Sequence, residues 1–245
     1  MRRVAGLSLI ALSAVLFAWV AVTLQFGDPI TSLETKHEQE KLEQQLEEIE
    51  AQWKPTPAPT SLGAAVRRTS SAALRPSAAG AAAAKWKADG VPRWAAEFRR
   101  TLQVEQPIGR IVVPKLGLRM VVVEGTTTSA LKKGPGRYII RQRYRTTLPG
   151  QGGVVAIAGH RTTYGKPFRH IDTMRPGDRV FLEMPYGRFT YIVYRHRIVD
   201  AGDWAILGRT GFEKLVLSAC HPLHSLKQRW VVFARLVRAQ PPGTV

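Results

Sequence analysis

The sequence predicts an all-β fold with short helices for the C-terminal part of the chain, arranged as a compact barrel. From Ile108 onward, short runs rich in Val, Ile, Tyr and Phe recur between breaks containing Gly and Pro: GRIVVPKL, RMVVVEG, GGVVAIAGH, DRVFLEM, GRFTYIVYRHRIV, EKLVLSAC and RWVVFARLV. Seven or eight such strands fit in that stretch, which is the density of a small barrel or sandwich. The long helical patterns that alternate with strands in a parallel α/β sheet are missing from it.

The rest of the 245 residues reads as appendages. Residues 4–24, VAGLSLIALSAVLFAWVAVTL, carry no charge. As a helix they would measure about 31 Å, the thickness of a bilayer core. Arg2 and Arg3 precede the run and Asp28 is the next charge, so the positive-inside bias leaves the N-terminus in the cytoplasm and exports the remainder of the chain. A cleaved signal peptide fits less well, because the run is longer than an h-region and ends without a small-x-small site. Residues 1–27 are therefore expected to be a cytoplasmic N-terminus and a single-pass transmembrane anchor.

Residues 28–53 are expected to form an amphipathic stalk helix. Thr31 and Glu34 have capping-box spacing, and Leu42, Leu46, Ile49 and Trp53 recur at 4, 3 and 4. The stripe is too short for a sustained coiled coil, though it allows self-association, and the glutamates read as a solvated face. Residues 54–92, dominated by Ala, Pro, Ser and Thr, read as a disordered linker. A stalk of about 39 Å and a linker reaching about 35 Å would hold the last unit, residues 93–245, well off the membrane. That unit would open with a short helix over 93–105, where Trp94, Phe98 and Leu102 share a face.

Charge narrows the function classes. Residues 106–245 carry 23 Lys and Arg against 7 Asp and Glu, which suits anionic lipid or wall polymer. Nucleic acid fits on charge but not on topology. A lone cysteine in an exported chain has no internal disulfide partner, so Cys220 is either a packed thiol or a reactive one.

Three positions favour reactivity. LVLSAC ends a strand at Cys220, VVAIAGHRTTYG ends another at His160, and QRWVVFARL begins a third near Arg229. A free cysteine is only about 3 per cent thiolate at neutral pH, so a thiol nucleophile needs a base and a positive charge nearby. His160 offers the first and Arg229 the second. Cys220, His221 and His224 also spell C-H-x-x-H, but no second pair of ligands comes after them in register for zinc, and no metal or cofactor is expected. His37, His170 and His196 read as ordinary surface or hydrogen-bonded histidines.

In this order and context, GHRTTYGKPF, LSACHP and QRWVVFARL resemble the sortase family, membrane-anchored cysteine transpeptidases of Gram-positive bacteria, over roughly residues 106–238. The resemblance implies an eight-stranded sortase-type β-barrel and Thr–Gly cleavage of an LPXTG/LAXTG-like sorting signal through a thioacyl intermediate on Cys220. It further implies substrates that are secreted proteins with C-terminal sorting signals, and an amine acceptor on a cell-wall precursor or a pilin. Within the family the chain looks most like class E. That likeness makes Tyr164 a substrate-pocket residue, and the LVLSAC strand adds Ser218, Ala219 and His221 as substrate-binding candidates. One departure is that class E enzymes usually read TLTTC where this chain has LVLSAC. Two other readings compete: an L,D-transpeptidase, which expects Gly before the cysteine and Arg two residues after it where this chain has Ala219 and Pro222, and a non-catalytic basic module that binds wall polymer.

Overall fold

A computed structural model describes residues 10–20, 29–54 and 90–242. Its centre is a closed barrel in the strand order β1-β2-β3-β4-β7-β8-β6-β5. The strands are β1 (Pro107–Val113), β2 (Leu118–Glu124), β3 (Gly136–Arg137), β4 (Val154–Ala158), β5 (Arg179–Met184), β6 (Gly187–Asp200), β7 (Lys214–His221) and β8 (Gln228–Gln240). Every pairing is antiparallel except β2 with β3 and β4 with β7. All seven runs expected from sequence are strands. The eighth, β3, is only two residues long, too short to register as a periodic pattern.

Alternation along the strands makes two apolar layers. Ile111, Val155, Ile157, Leu182, Phe189, Leu215, Leu217, Ala219 and Val232 point into the barrel. Val154, Ala156, Val216, Val231 and Phe233 point outward beneath Tyr138, Ile140, Tyr144, Ile206 and Leu207. Gly109 marks a bulge in β1, where a Cβ would sit 2.4 Å from the Glu183 carbonyl oxygen and no other residue fits.

Helix α1 (Pro29–Gln52) corrects the stalk reading. Leu42 and Leu46 are buried against Val121, Val123 and Ala130, while Ile49 and Trp53 pack on the barrel core, so the apolar stripe is spent on the barrel and not left for self-association. The glutamate face is not simply solvated either. Glu43 and Glu50 each lie 2.6 Å from the guanidinium of Arg110, which projects outward from β1. Their opposite charge holds Arg110 protonated above the ordinary arginine value, against the desolvation that opposes it. Gln39 bonds the exposed edge of β2 as a neighbouring strand would: its Oε1 accepts the Val121 N–H at 2.7 Å and its Nε2 donates to the Val121 carbonyl at 3.1 Å. Pro29 and Ile30 are already helical, so Thr31 is not the cap expected, and its hydroxyl instead accepts the N–H of Tyr164 at 3.0 Å.

Arg110→Met removes two charged hydrogen bonds between α1 and β1, worth together about 2 kcal/mol. Amides of α1 are expected to exchange hydrogen roughly thirtyfold faster while those of β7 and β8 stay unchanged. Equal protection in the variant would mean that apolar contact alone holds the helix.

Helix α2 (Val91–Thr101) follows a left-handed Gly90, carries Pro92 in its first turn and buries Trp94, Ala95 and Phe98. Phe98 meets Trp53 edge-on at 5.3 Å and Tyr186 at 5.7 Å, joining the C-terminal end of α1 to the β5–β6 turn. A third helix, α3 (Thr128–Lys133), is capped by the Thr127 hydroxyl. Among the described residues no helix is long and apolar enough to cross a membrane. Residues 10–20 of the apolar run are helical; the rest of that run, and residues 55–89 of the expected linker, lie outside the described residues.

Candidate active site

Strand register places the three candidate residues. Cys220 on β7 is the direct partner of Arg229 on β8, and directly opposed residues share a face. On the other side β7 runs parallel to β4 with Ala158 level with Ser218, and the ladder continues one residue further as the Gly159 N–H donates to the Ser218 carbonyl at 3.1 Å. One more step brings His160 level with Cys220. Val216 faces outward and Ala219 inward on β7, so Ser218 and Cys220 face outward with Val216. The same alternation sends Arg229 outward with Val231 and Phe233, and His160 outward with Val154 and Ala156. His160, Cys220 and Arg229 therefore stand in a row across three neighbouring chain segments, at one end of one face.

A cavity of about 230 Å³ opens there, lined by His160, Arg161, Thr162, Thr163, Cys220, His224, Ser225 and Leu226. Cys220 is half-buried and unpaired, as a nucleophile must be. Nε2 of His160 is buried without a hydrogen-bond partner, and burial pushes the imidazole pKa below the ordinary value. Burial thus favours the neutral ring. Arg229 donates from Nη1 to the carbonyls of Leu226 and Gln228, both at 2.9 Å. These bonds fix the guanidinium on the β7–β8 turn and leave its Nε–H and Nη2–H donors for a substrate oxygen.

The burial of His160 has a thermodynamic signature. The unfolded chain takes up the proton near 6.5, the folded chain only at lower pH, so the neutral imidazole contributes stability that is complete above 6.5 and is lost as pH falls towards the folded pKa. Urea unfolding of the chain and of His160→Gln, from neutral to mildly acid conditions, is expected to show a steeper acid loss in the unsubstituted chain. Parallel curves would mean that His160 titrates as a free histidine.

The substrate-binding candidates divide. The Tyr164 ring lies 5.2 Å from that of His160, with Nζ of Lys132 5.5 Å above it. Ser218 is on the outward face beside Cys220, its hydroxyl 3.1 Å from that of Tyr138. Ala219 is a correction: its methyl is buried inside the barrel and offers nothing to a ligand on the outer face. His221 is another, for alternation turns it away from Cys220, against Trp230 at 5.5 Å and Nη1 of Arg161 at 3.5 Å. Cys220 and His221 thus face apart, and C-H-x-x-H is not a converging ligand set.

Two features went unread in the sequence. Arg161, next to His160, is buried; it pairs with Asp172 at 2.9 Å, donates to the Arg169 carbonyl, and reaches the Cys220 carbonyl at 3.3 Å. It ties the loop that carries His160 to the end of β7. Tyr138, in edge contact with Trp204 at 6.1 Å, lies over the buried outward layer, and its hydroxyl meets that of Ser218. The Trp204–Leu207 turn is held by Lys214, whose ammonium donates to the carbonyls of Ile206 and Gly208.

The family model for the sortase domain matches residues 111–237, just over half of the chain. The chain belongs to the sortase family. Sortases are cysteine transpeptidases, and Cys220 is the only cysteine here. Sortase D of Bacillus subtilis (strain 168) is 31% identical over 136 residues, which is 54% of this chain and 65% of that protein, so the match spans just under two thirds of the relative. The crystal structure of Sortase E1 from Streptomyces coelicolor, with a tripeptide in its active site, superposes with a TM-score of 0.53 at 27% identity, covering 56% of this chain and 91% of that one. Sortase E from Streptomyces avermitilis gives 0.50 at 33% identity, covering 57% and 93%. The sortase match and the barrel set the L,D-transpeptidase reading aside.

Proposed function

We propose that this sortase joins secreted proteins to an amine acceptor by cleaving an LPXTG/LAXTG-like signal between Thr and Gly. The observation that carries the reading is the row of His160, Cys220 and Arg229 on one face. Sγ of Cys220 attacks the Thr carbonyl carbon while His160 takes the thiol proton. The oxyanion forms beside Arg229, whose remaining donors stabilise it. As the C–N bond to Gly breaks, His160 returns that proton to the departing amine, leaving a thioester on Cys220. The acceptor amine then attacks the thioester, giving its proton through His160 to the cysteine sulfur, and the new amide departs.

The cavity beside Cys220 supports a peptide substrate. Thr162, Thr163 and Ser225 line it and bring hydroxyls for the peptide backbone. Tyr164 would brace His160 and close the other side. The acceptor is an amine of a wall precursor or a pilin, and the apolar run 4–24 anchors the chain with the barrel outside the cell.

The full chain, incubated with LPXTG and LAXTG peptides and a small amine, is expected to give Thr–Gly cleavage and the amine adduct by mass spectrometry. No turnover of either peptide would contradict the reading.

A further inference from the structure

A second groove, of about 480 Å³, lies between the β1–β2 turn and residues 165–170 of the loop that carries His160. Its lining is cationic and apolar together. Arg119, Lys166 and Arg169 supply charge, Leu118, Met120 and Pro167 supply a hydrophobic floor, and among the described residues no carboxylate lines it. Arg119 is exposed and pairs with Glu183 at 3.0 Å; Lys166 and Arg169 are half-buried and have contacts of their own within the chain, and Lys115, next to Leu116 of the lining, is exposed. Nothing in the acyl-transfer chemistry uses this groove.

Its place in the chain says what it meets. The Thr31 hydroxyl accepts the Tyr164 N–H, and a Cβ on Gly165, which lines the groove, would sit 3.1 Å from the Thr35 side chain. The beginning of α1 is therefore pinned to the groove wall. Leu24, the last residue of the apolar run, is seven residues before Thr31, and seven residues span at most about 25 Å. A linker of that length keeps the start of α1, and the groove beside it, within reach of the headgroup layer.

We propose that this groove docks on an anionic bilayer surface, with Arg119, Lys166 and Arg169 among the lipid phosphates and the mouth of the active site held at the membrane. This rests on the anchoring by residues 4–24 proposed above. It replaces an enzyme swinging on a long tether with one whose catalytic rim lies at the surface.

The test uses the full chain in lipid nanodiscs, with Cys220→Ala and a fluorophore on Lys115→Cys. The discs are phosphatidylcholine with about one quarter phosphatidylglycerol, which sets a negative surface potential, and carry a quencher on the lipid headgroups. Strong quenching is expected, reduced more than tenfold in apparent affinity by Lys166→Glu with Arg169→Glu, since each basic residue at such a surface contributes about fivefold, and reduced again by salt. Quenching that is absent, or equal in purely neutral discs and in the charge-reversed chain, would overturn the proposal. A chain that does not co-elute with discs would fail the anchoring reading instead. The labelled chain is then added to vesicles of the same lipids, where salt-sensitive binding lost on charge reversal keeps the groove assignment and no binding overturns it. Displacement by soluble poly(glycerol phosphate), with no binding to vesicles, would move the ligand to a wall polymer and overturn the lipid assignment.

Discussion

Cys220→Ala is expected to abolish peptide cleavage and amine transfer together, by at least about 10⁴-fold, because both half-reactions pass through the same sulfur. The loss should come without a loss of fold. Cys220 is half-buried at the end of β7, and Cys220→Ala keeps its backbone bonds while removing only a free thiol, so the melting transition should barely move. Peptide binding by the variant, measured calorimetrically, should persist, since Thr162, Thr163 and Ser225 of the cavity are untouched. Cleavage surviving at more than about a hundredth of the original rate would mean another nucleophile. A native thiol that resists alkylation would point to a packed cysteine in a binding module.

The second large effect concerns the fold. Arg137 and Glu124 are paired across the short parallel contact of β2 with β3, both nearly inaccessible to solvent, with Nε of Arg137 2.7 Å from one carboxylate oxygen and Nη2 against the other. β3 is the only strand between β2 and β4, so barrel closure passes through this pair. Removing one partner leaves a buried charge uncompensated, at a cost of about 3–5 kcal/mol. That is a large part of the roughly 5–15 kcal/mol by which such domains are stable. Glu124→Ala is expected to shift the urea midpoint sharply downward, and Glu124→Leu with Arg137→Met to recover much of it. A double variant no better than the single one would show that the two residues matter separately and not as a pair.

How much of this was legible in the sequence depends on the range of each interaction. The strands could be read because alternation and Gly or Pro breaks are local. The row of His160, Cys220 and Arg229 could be read because all three sit at strand ends, and neighbouring strands bring such ends together. Ala219 was misplaced because, although period two fixes which residues share a face, only the neighbouring layers show which face is inside. The docking of α1 was hidden for another reason. Arg110 is 67 and 60 residues from Glu43 and Glu50, and Gln39 bonds backbone, which leaves no trace in side-chain patterns. Arg161 carried a faint signal, as a charged residue directly after a strand-end histidine, but only Asp172 and the Cys220 carbonyl reveal what it holds.

The central claim is that Cys220 carries the acyl group between two substrates. Its most direct test is the intact mass of the full chain after a brief reaction with an LPXTG or LAXTG peptide in the absence of amine, quenched in acid. The expected result is a chain heavier by the peptide up to Thr, with the addition mapped to Cys220 and released by hydroxylamine. An unmodified chain alongside cleaved peptide, or an adduct on any other residue, would contradict it.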